Sequence, residues 1–412
     1  MMLIVIWLKI RNNIMNKRDR KEIRKVCFYL IISLFLFLNE VSYAQDEDNI
    51  VIGNKVKMYS DIFDKEIEFS VHIPENYDES KQRYPVLYTC LTQFELVCGI
   101  VKNLYTSYLI PETIVINIDT YEYGYLTPTS VERNLSWGKA DQFLQFFKED
   151  LFPFIDSTYR THPYRIIYSG ALGGVFTLYS IIAKPDIFNA GIAPIPWIIY
   201  DRENKYLINN TESFLNKNKY HNFLYIAMDN EFEVLQDLET FVKVLRRLPQ
   251  KGFEWEYHFW PEEDHYSTGT RSLHSGLRSL YKEWNTIPVE IAHQGLEQIK
   301  KHEIYLNKKF GYEIGISLNA LWWVGQEHIK NEQYDKAIDI FKYRVKKESN
   351  NSFFYIDLGI AYERDNQLQL AKETYEKAYN IEVSSSKPQI KRIKRIKNFL
   401  DNINKKINEI ER

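Results

Sequence analysis

Little in this chain speaks for a cofactor or a charged partner. It has three cysteines among 412 residues, no C-x-x-C and no H-E-x-x-H pair, so no metal site and no cofactor are expected. A formal net charge of −2 gives no electrostatic footprint for nucleic acid. The apolar stretch FYLIISLFLFL from Phe28 to Leu38, broken only by Ser33, falls short of the ~20 residues that a spanning helix needs. What is abundant is core-building material, 45% hydrophobic and 15% aromatic, in a chain long enough for two domains.

The apolar stretch follows a basic one (Lys17, Arg18, Arg20, Lys21, Arg24, Lys25) and precedes Ser42-Tyr43-Ala44, small residues at the spacing of a cleavage site. That is the layout of an export signal over 1–44, with Met15 as a possible true start. Cleavage after Ala44 predicts a periplasmic or secreted protein with no stable membrane span. Cys27 leaves with the signal, and Cys90 and Cys98 remain as free thiols or as a disulfide that a domain of this size does not need.

From 50 to 77 the pattern alternates in strand fashion and predicts an antiparallel pair. Short, largely apolar runs follow at 84–91, 113–118, 164–169, 188–195, 223–228 and 254–260, with amphipathic segments such as 140–156 and 237–249 between them. Runs apolar on both faces suit buried parallel strands, and their alternation with helices predicts an α/β fold with a mostly parallel central sheet and helices on both faces. After residue 288 the pattern is all helical. Gly325 and Gly359, Val324 and Leu358, Ala337 and Ala371, and Phe341 and Tyr375 recur at a period of 34. This is the spacing of tetratricopeptide repeats, placed at about 318–351 and 352–385, with 388–410 as a capping helix. Two repeats are few for a free-standing array, so region 289–412 is expected to pack on the domain formed by 45–288 and to offer a surface for a protein partner. The KRIKRIK run within the cap reads as a solvated face.

The stretch YRIIYSGALGGVFTLY (164–179) carries the chemistry. A strand-like run meets small residues and then a helical run, the layout of a G-x-S-x-G nucleophile elbow. In register it reads Ser169, Gly170, Ala171, Leu172, Gly173, so alanine stands at the nucleophile position.

With IPENY (73–77), YPVLY (84–88), LTPT (126–129), YRTHPYRI (159–166), KPDIFNAGIAP (184–194) and PEEDHYS (261–267), the chain resembles the putative-esterase family of α/β-hydrolases, which includes siderophore esterases and S-formylglutathione hydrolase. The resemblance implies the α/β-hydrolase fold, His265 as the histidine of the triad, Glu231 or Asp229 as its carboxylate, and the Leu172 N–H as an oxyanion donor. It also marks departures. Leu91-Thr92 replaces an Asp-Gly at the second oxyanion loop, Gly124-Tyr125 replaces an Arg-Asp, and Ala193-Pro194-Ile195-Pro196-Trp197 replaces an S-P-S-x-W pattern. Leu91, Thr92, Tyr125 and Trp197 are thereby expected to line the pocket, with Tyr121 and Tyr123 adding aromatic surface. Three readings stay open. One is a catalytically silent member that binds a small ester-like ligand or a protein. The second is an active ester hydrolase using Ser169 or a water with His265. In the third, the repeats carry the function and the hydrolase domain is their scaffold.

Overall fold

The computed structural model describes residues 50–119, 122–130, 137–201, 205–248, 252–385 and 388–410. The expected export signal and Tyr121 lie outside the described residues. Among those described, no helix is long and apolar enough to cross a membrane.

Eight strands form one sheet in the order β1-β2-β4-β3-β5-β6-β7-β8. β1 (Asn54–Ser60) and β2 (Lys65–His72) form an antiparallel hairpin, and β2 joins β4 antiparallel. The rest of the sheet is parallel: β3 (Tyr84–Cys90), β4 (Ile114–Ile118), β5 (Thr161–Tyr168), β6 (Ala190–Pro194), β7 (Asn222–Met228) and β8 (Phe253–Phe259). Every residue of β3, β4, β6 and β7 is buried, as strands covered on both faces require.

Successive side chains on these strands go to opposite faces and feed two separate cores. Val86, Tyr88, Ile167 and Leu224 join one; Leu87, Ile166, Tyr168 and Tyr225 join the other. The first core is closed by five helices: α2 (Ala140–Phe146), α3 (Phe152–Thr158), α4 (Ala171–Ala183), α5 (Tyr206–Lys217) and α6 (Phe232–Arg247). A π-helical segment, Phe147–Leu151, joins α2 to α3. Pro153 in the following turn has no N–H to give the carbonyl four residues back, which favours the wider ladder there.

The second core is closed by α1 (Phe94–Thr106) and α7 (His265–Leu280), and then by the C-terminal helices. Two short helices, α8 (Lys282–Asn285) and α9 (Val289–Ala292), lead to α10 (Leu296–Phe310). Then come α11 (Leu318–Lys330), α12 (Tyr334–Lys347), α13 (Ser352–Arg364), α14 (Leu368–Val383) and α15 (Ile390–Ile410). Ile299, Leu306, Leu321 and Ile340 share a core with Leu87, Leu273 and Leu277, so the helical region packs on the sheet through buried apolar surface. Phe310 stacks on Tyr281 at 5.3 Å, His162 of β5 stacks on Tyr312 at 4.0 Å, and Lys309 bridges Glu254 and Glu283 at 2.9 and 3.0 Å.

Within α11–α12 and α13–α14 the glycines 34 apart meet the aromatics 34 apart. A Cβ on Gly325 would lie 2.4 Å from the Phe341 ring, and one on Gly359 would lie 2.4 Å from the Tyr375 ring. Only glycine permits that approach.

Candidate active site

β5 ends at Tyr168, and the chain turns through Ser169 and Gly170 into α4, whose first residue is Ala171. Ala171 holds φ 52°, the left-handed region that favours glycine. Two contacts hold it there: the Trp197 N–H donates to the Ala171 carbonyl (3.1 Å), and the Gly174 N–H donates to the Gly170 carbonyl (3.0 Å). The Leu172 N–H precedes that first helical bond, so the helix makes no use of it. Gly173 and Gly174 allow the helix this close. A Cβ on Gly173 would lie 1.8 Å from Ser169 Oγ, and one on Gly174 would lie 2.9 Å from Pro196 Cα.

Ser169 is fully buried, and its hydroxyl donates to the Cys90 carbonyl at 2.6 Å. It does not line the cleft above the elbow. Cys90 and Cys98 are both buried free thiols, and burial pushes both up, Cys98 to about 12.

His265 opens α7 directly after the cap Asp264. The Asp264 carboxylate accepts the Tyr266 and Ser267 N–H groups (3.0 and 2.8 Å), while the Asp264 N–H donates to Ser267 Oγ (2.9 Å). This reciprocal cap fixes where the imidazole leaves the helix. Its Nδ1 meets Glu231 Oε1 at 2.5 Å. With a carboxylate there, Nδ1 carries the proton and Nε2 is left as the accepting end.

Glu231 is thus the carboxylate on the imidazole. Asp229 is buried beneath it; its Oδ1 accepts the Glu231 N–H at 2.9 Å and shapes the loop that presents Glu231. Burial pushes the Asp229 carboxyl up. One ligand atom from each of Asp229, Glu231 and His265 lies within 4.8 Å of the others. A cation bound through Nδ1 would have to displace the proton that Nδ1 gives Glu231.

Ala171, Leu172, His265, Leu91, Thr92 and Trp197 all line one cleft of about 880 Å³. Leu91 (φ 55°) and Ile195 (φ 45°) are left-handed, so three non-glycine residues with positive φ surround it. Such conformations cost ~1–3 kcal/mol each and persist where surrounding structure enforces them. The Trp197 ring lies 5.8 Å from the imidazole.

Tyr125 is not in this cleft. It packs on Phe63 (4.9 Å) and Phe143 (5.9 Å), with Lys139 over its ring. The chain forms a 3₁₀ turn over Tyr123–Leu126, and residues two apart in such a turn leave on different sides. Tyr123 therefore reaches the cleft and Tyr125 the core. Sequence reasoning missed Leu96, Val97 and Ile100 of α1, which form an apolar wall of the cleft. Their i, i+1, i+4 spacing is that of any buried helix face, and no sequence signal separates the two.

The fold has counterparts. A family model described as "Putative esterase" matches residues 60–302. The ferri-bacillibactin esterase BesA of Bacillus subtilis (strain 168) is 34% identical over 86 residues, 21% of this chain and 29% of that protein. The match thus spans less than a third of the esterase's own length. An IroE-like serine hydrolase from Shewanella oneidensis superposes with a TM-score of 0.62 at 21% identity, covering 71% of this chain and 98% of that one. A protein from Capnocytophaga ochracea DSM 7271 superposes at 0.58 and 17% identity, covering 85% of this chain and 99% of the other. At such identities these two structures speak to the fold.

Proposed function

This chain belongs to the putative esterase family, and from that premise we propose that it is an exported member that has lost the hydrolytic step and uses its cleft to bind a ligand or a protein. The observation that carries this reading is Ala171. A methyl group stands at the apex of the elbow, in a cleft that is also lined by His265, the partner of Glu231. Acyl transfer of this kind needs a hydroxyl for the histidine to deprotonate, and alanine has none. The burial of Ser169 and its bond to the Cys90 carbonyl support the same reading, since that hydroxyl is already committed.

Residues 1–44 would be the export signal, 45–288 the esterase-like domain and 289–412 the helical region. Mass spectrometry of the mature protein should find Gln45 at its N-terminus; retention of Phe28 to Leu38 would argue for an anchor. The glycine–aromatic contacts at a 34-residue period support tetratricopeptide-type hairpins, and Trp323, 61% exposed, offers that region an apolar contact for a partner.

The deciding experiment is labelling with a fluorophosphonate together with turnover of aryl esters by the native chain. The expected result is no labelled serine and no turnover above that of His265→Ala. A labelled serine would overturn the reading. The His265–Glu231 hydrogen bond favours one rival, hydrolysis by a water activated at His265. Its signature is turnover lost in His265→Ala without any fluorophosphonate adduct.

A further inference from the structure

We infer that the cleft over Ala171 binds an uncharged, mainly apolar ester and holds it intact; this rests on the reading of the site as catalytically silent. The cleft's volume of about 880 Å³ is that of a pocket for a drug-sized ligand. Among the described residues that line it there is no Lys, Arg, Asp or Glu, and His265 is the one side chain able to carry positive charge. Against these described residues an anionic ligand would lose its hydration without a guanidinium or ammonium in exchange.

The hydroxyls on the wall do not change that balance. Thr92 donates to Asn117 Oδ1 (3.0 Å), Tyr168 to the Gly269 carbonyl (3.0 Å), and Ser267 and Thr270 to backbone carbonyls (3.3 and 3.4 Å). With their protons used inside the protein, these residues present mostly carbon to the cleft, beside Leu96, Val97, Ile100 and Leu273. Two exposed aromatics, Tyr123 and Tyr266, join Trp197 in the lining and suit an aryl or alkyl group.

The other polar groups of the lining are the Gln93 amide, the Tyr123 and Tyr266 hydroxyls and the Trp137 and Trp197 indole N–H groups, all uncharged. The Leu172 N–H, at the positive end of α4, can donate to an ester carbonyl. Beside that carbonyl the Ala171 methyl takes the place from which a hydroxyl would attack. The ester therefore docks as a substrate would, and its acyl–oxygen bond stays whole.

The test uses the full chain with 1-naphthyl butyrate as the neutral ester and iron(III) tris-catecholate as the polyanion, measured by equilibrium dialysis and by release of 1-naphthol. The ester should bind and be recovered intact, with the tris-catecholate at least ~10-fold weaker. Leu96→Glu and Trp197→Ala, both at partly exposed positions, should each weaken the ester by ~10-fold or more while melting as the native chain does. Tighter binding of the tris-catecholate, or no binding of the ester, overturns the inference and leaves the silent reading standing. Release of 1-naphthol that depends on His265 overturns the silent reading itself.

Discussion

Replacing Ala171 with serine adds one oxygen to the apex of the elbow, and the structure sets the size of the expected response. The Cβ already sits on a φ 52° residue at the head of α4, so Oγ enters the cleft that His265 lines. His265 is held by Glu231 at 2.5 Å with Nε2 as its accepting end, and the Leu172 N–H is unused by the helix. Loss of a triad nucleophile costs ~10⁶-fold in turnover. The loop that the resemblance assigns to the second oxyanion donor reads Leu91-Thr92; without that donor, ~10²–10³ of that is not recovered. Ala171→Ser should then gain ~10³–10⁴-fold, about 4–5.5 kcal/mol of transition-state stabilisation. The assay is hydrolysis of p-nitrophenyl acetate and butyrate by the native chain, by Ala171→Ser and by Ala171→Ser with His265→Ala. The gain should vanish in the double variant. A folded Ala171→Ser that gains nothing refutes the idea that the elbow and the His265–Glu231 pair still form a working frame.

Three further outcomes follow from individual contacts. Ser169→Ala should leave ester turnover unchanged and cost ~1–2 kcal/mol in urea unfolding, because it removes a buried hydrogen bond to the Cys90 carbonyl; turnover that disappears with this hydroxyl would make Ser169 a nucleophile. Ala171→Gly should raise stability by ~0.5–1 kcal/mol, since glycine accepts φ 52° without the Cβ clash; a lower melting temperature would show that the elbow carries no strain. Burial, then Arg83, pushes His162 down to about 4, so the fold holds it neutral. Its contribution is complete above the unfolded value near 6.5 and is lost as pH falls from there toward 4. His162→Phe, which keeps a ring on Tyr312, should therefore lose less thermal stability than the native chain between pH 7 and 5.

The sequence by itself determined the alternation of mostly parallel strands with helices and the alanine at the elbow position. Those features are local. A strand buried on both faces is apolar along most of its length, as YPVLYTC is apart from Thr89, and an elbow is a fixed spacing of small residues between a strand and a helix. The 34-residue period was equally legible, because each small residue is small for the sake of one aromatic at a constant distance along the chain. Tertiary structure decided the rest. Asp229 and Glu231 both follow β7 and are alike in sequence; only the arrival of α7, 34 residues later, puts His265 on Glu231 and buries Asp229. Tyr123 and Tyr125 differ by the direction in which a 3₁₀ turn sends them. The shared core of Leu87, Leu277, Leu321 and Ile340 joins positions far apart in the chain, and no local pattern encodes which apolar face meets which. Pairings at long range are chosen by shape and burial, which the sequence expresses only once the chain has folded.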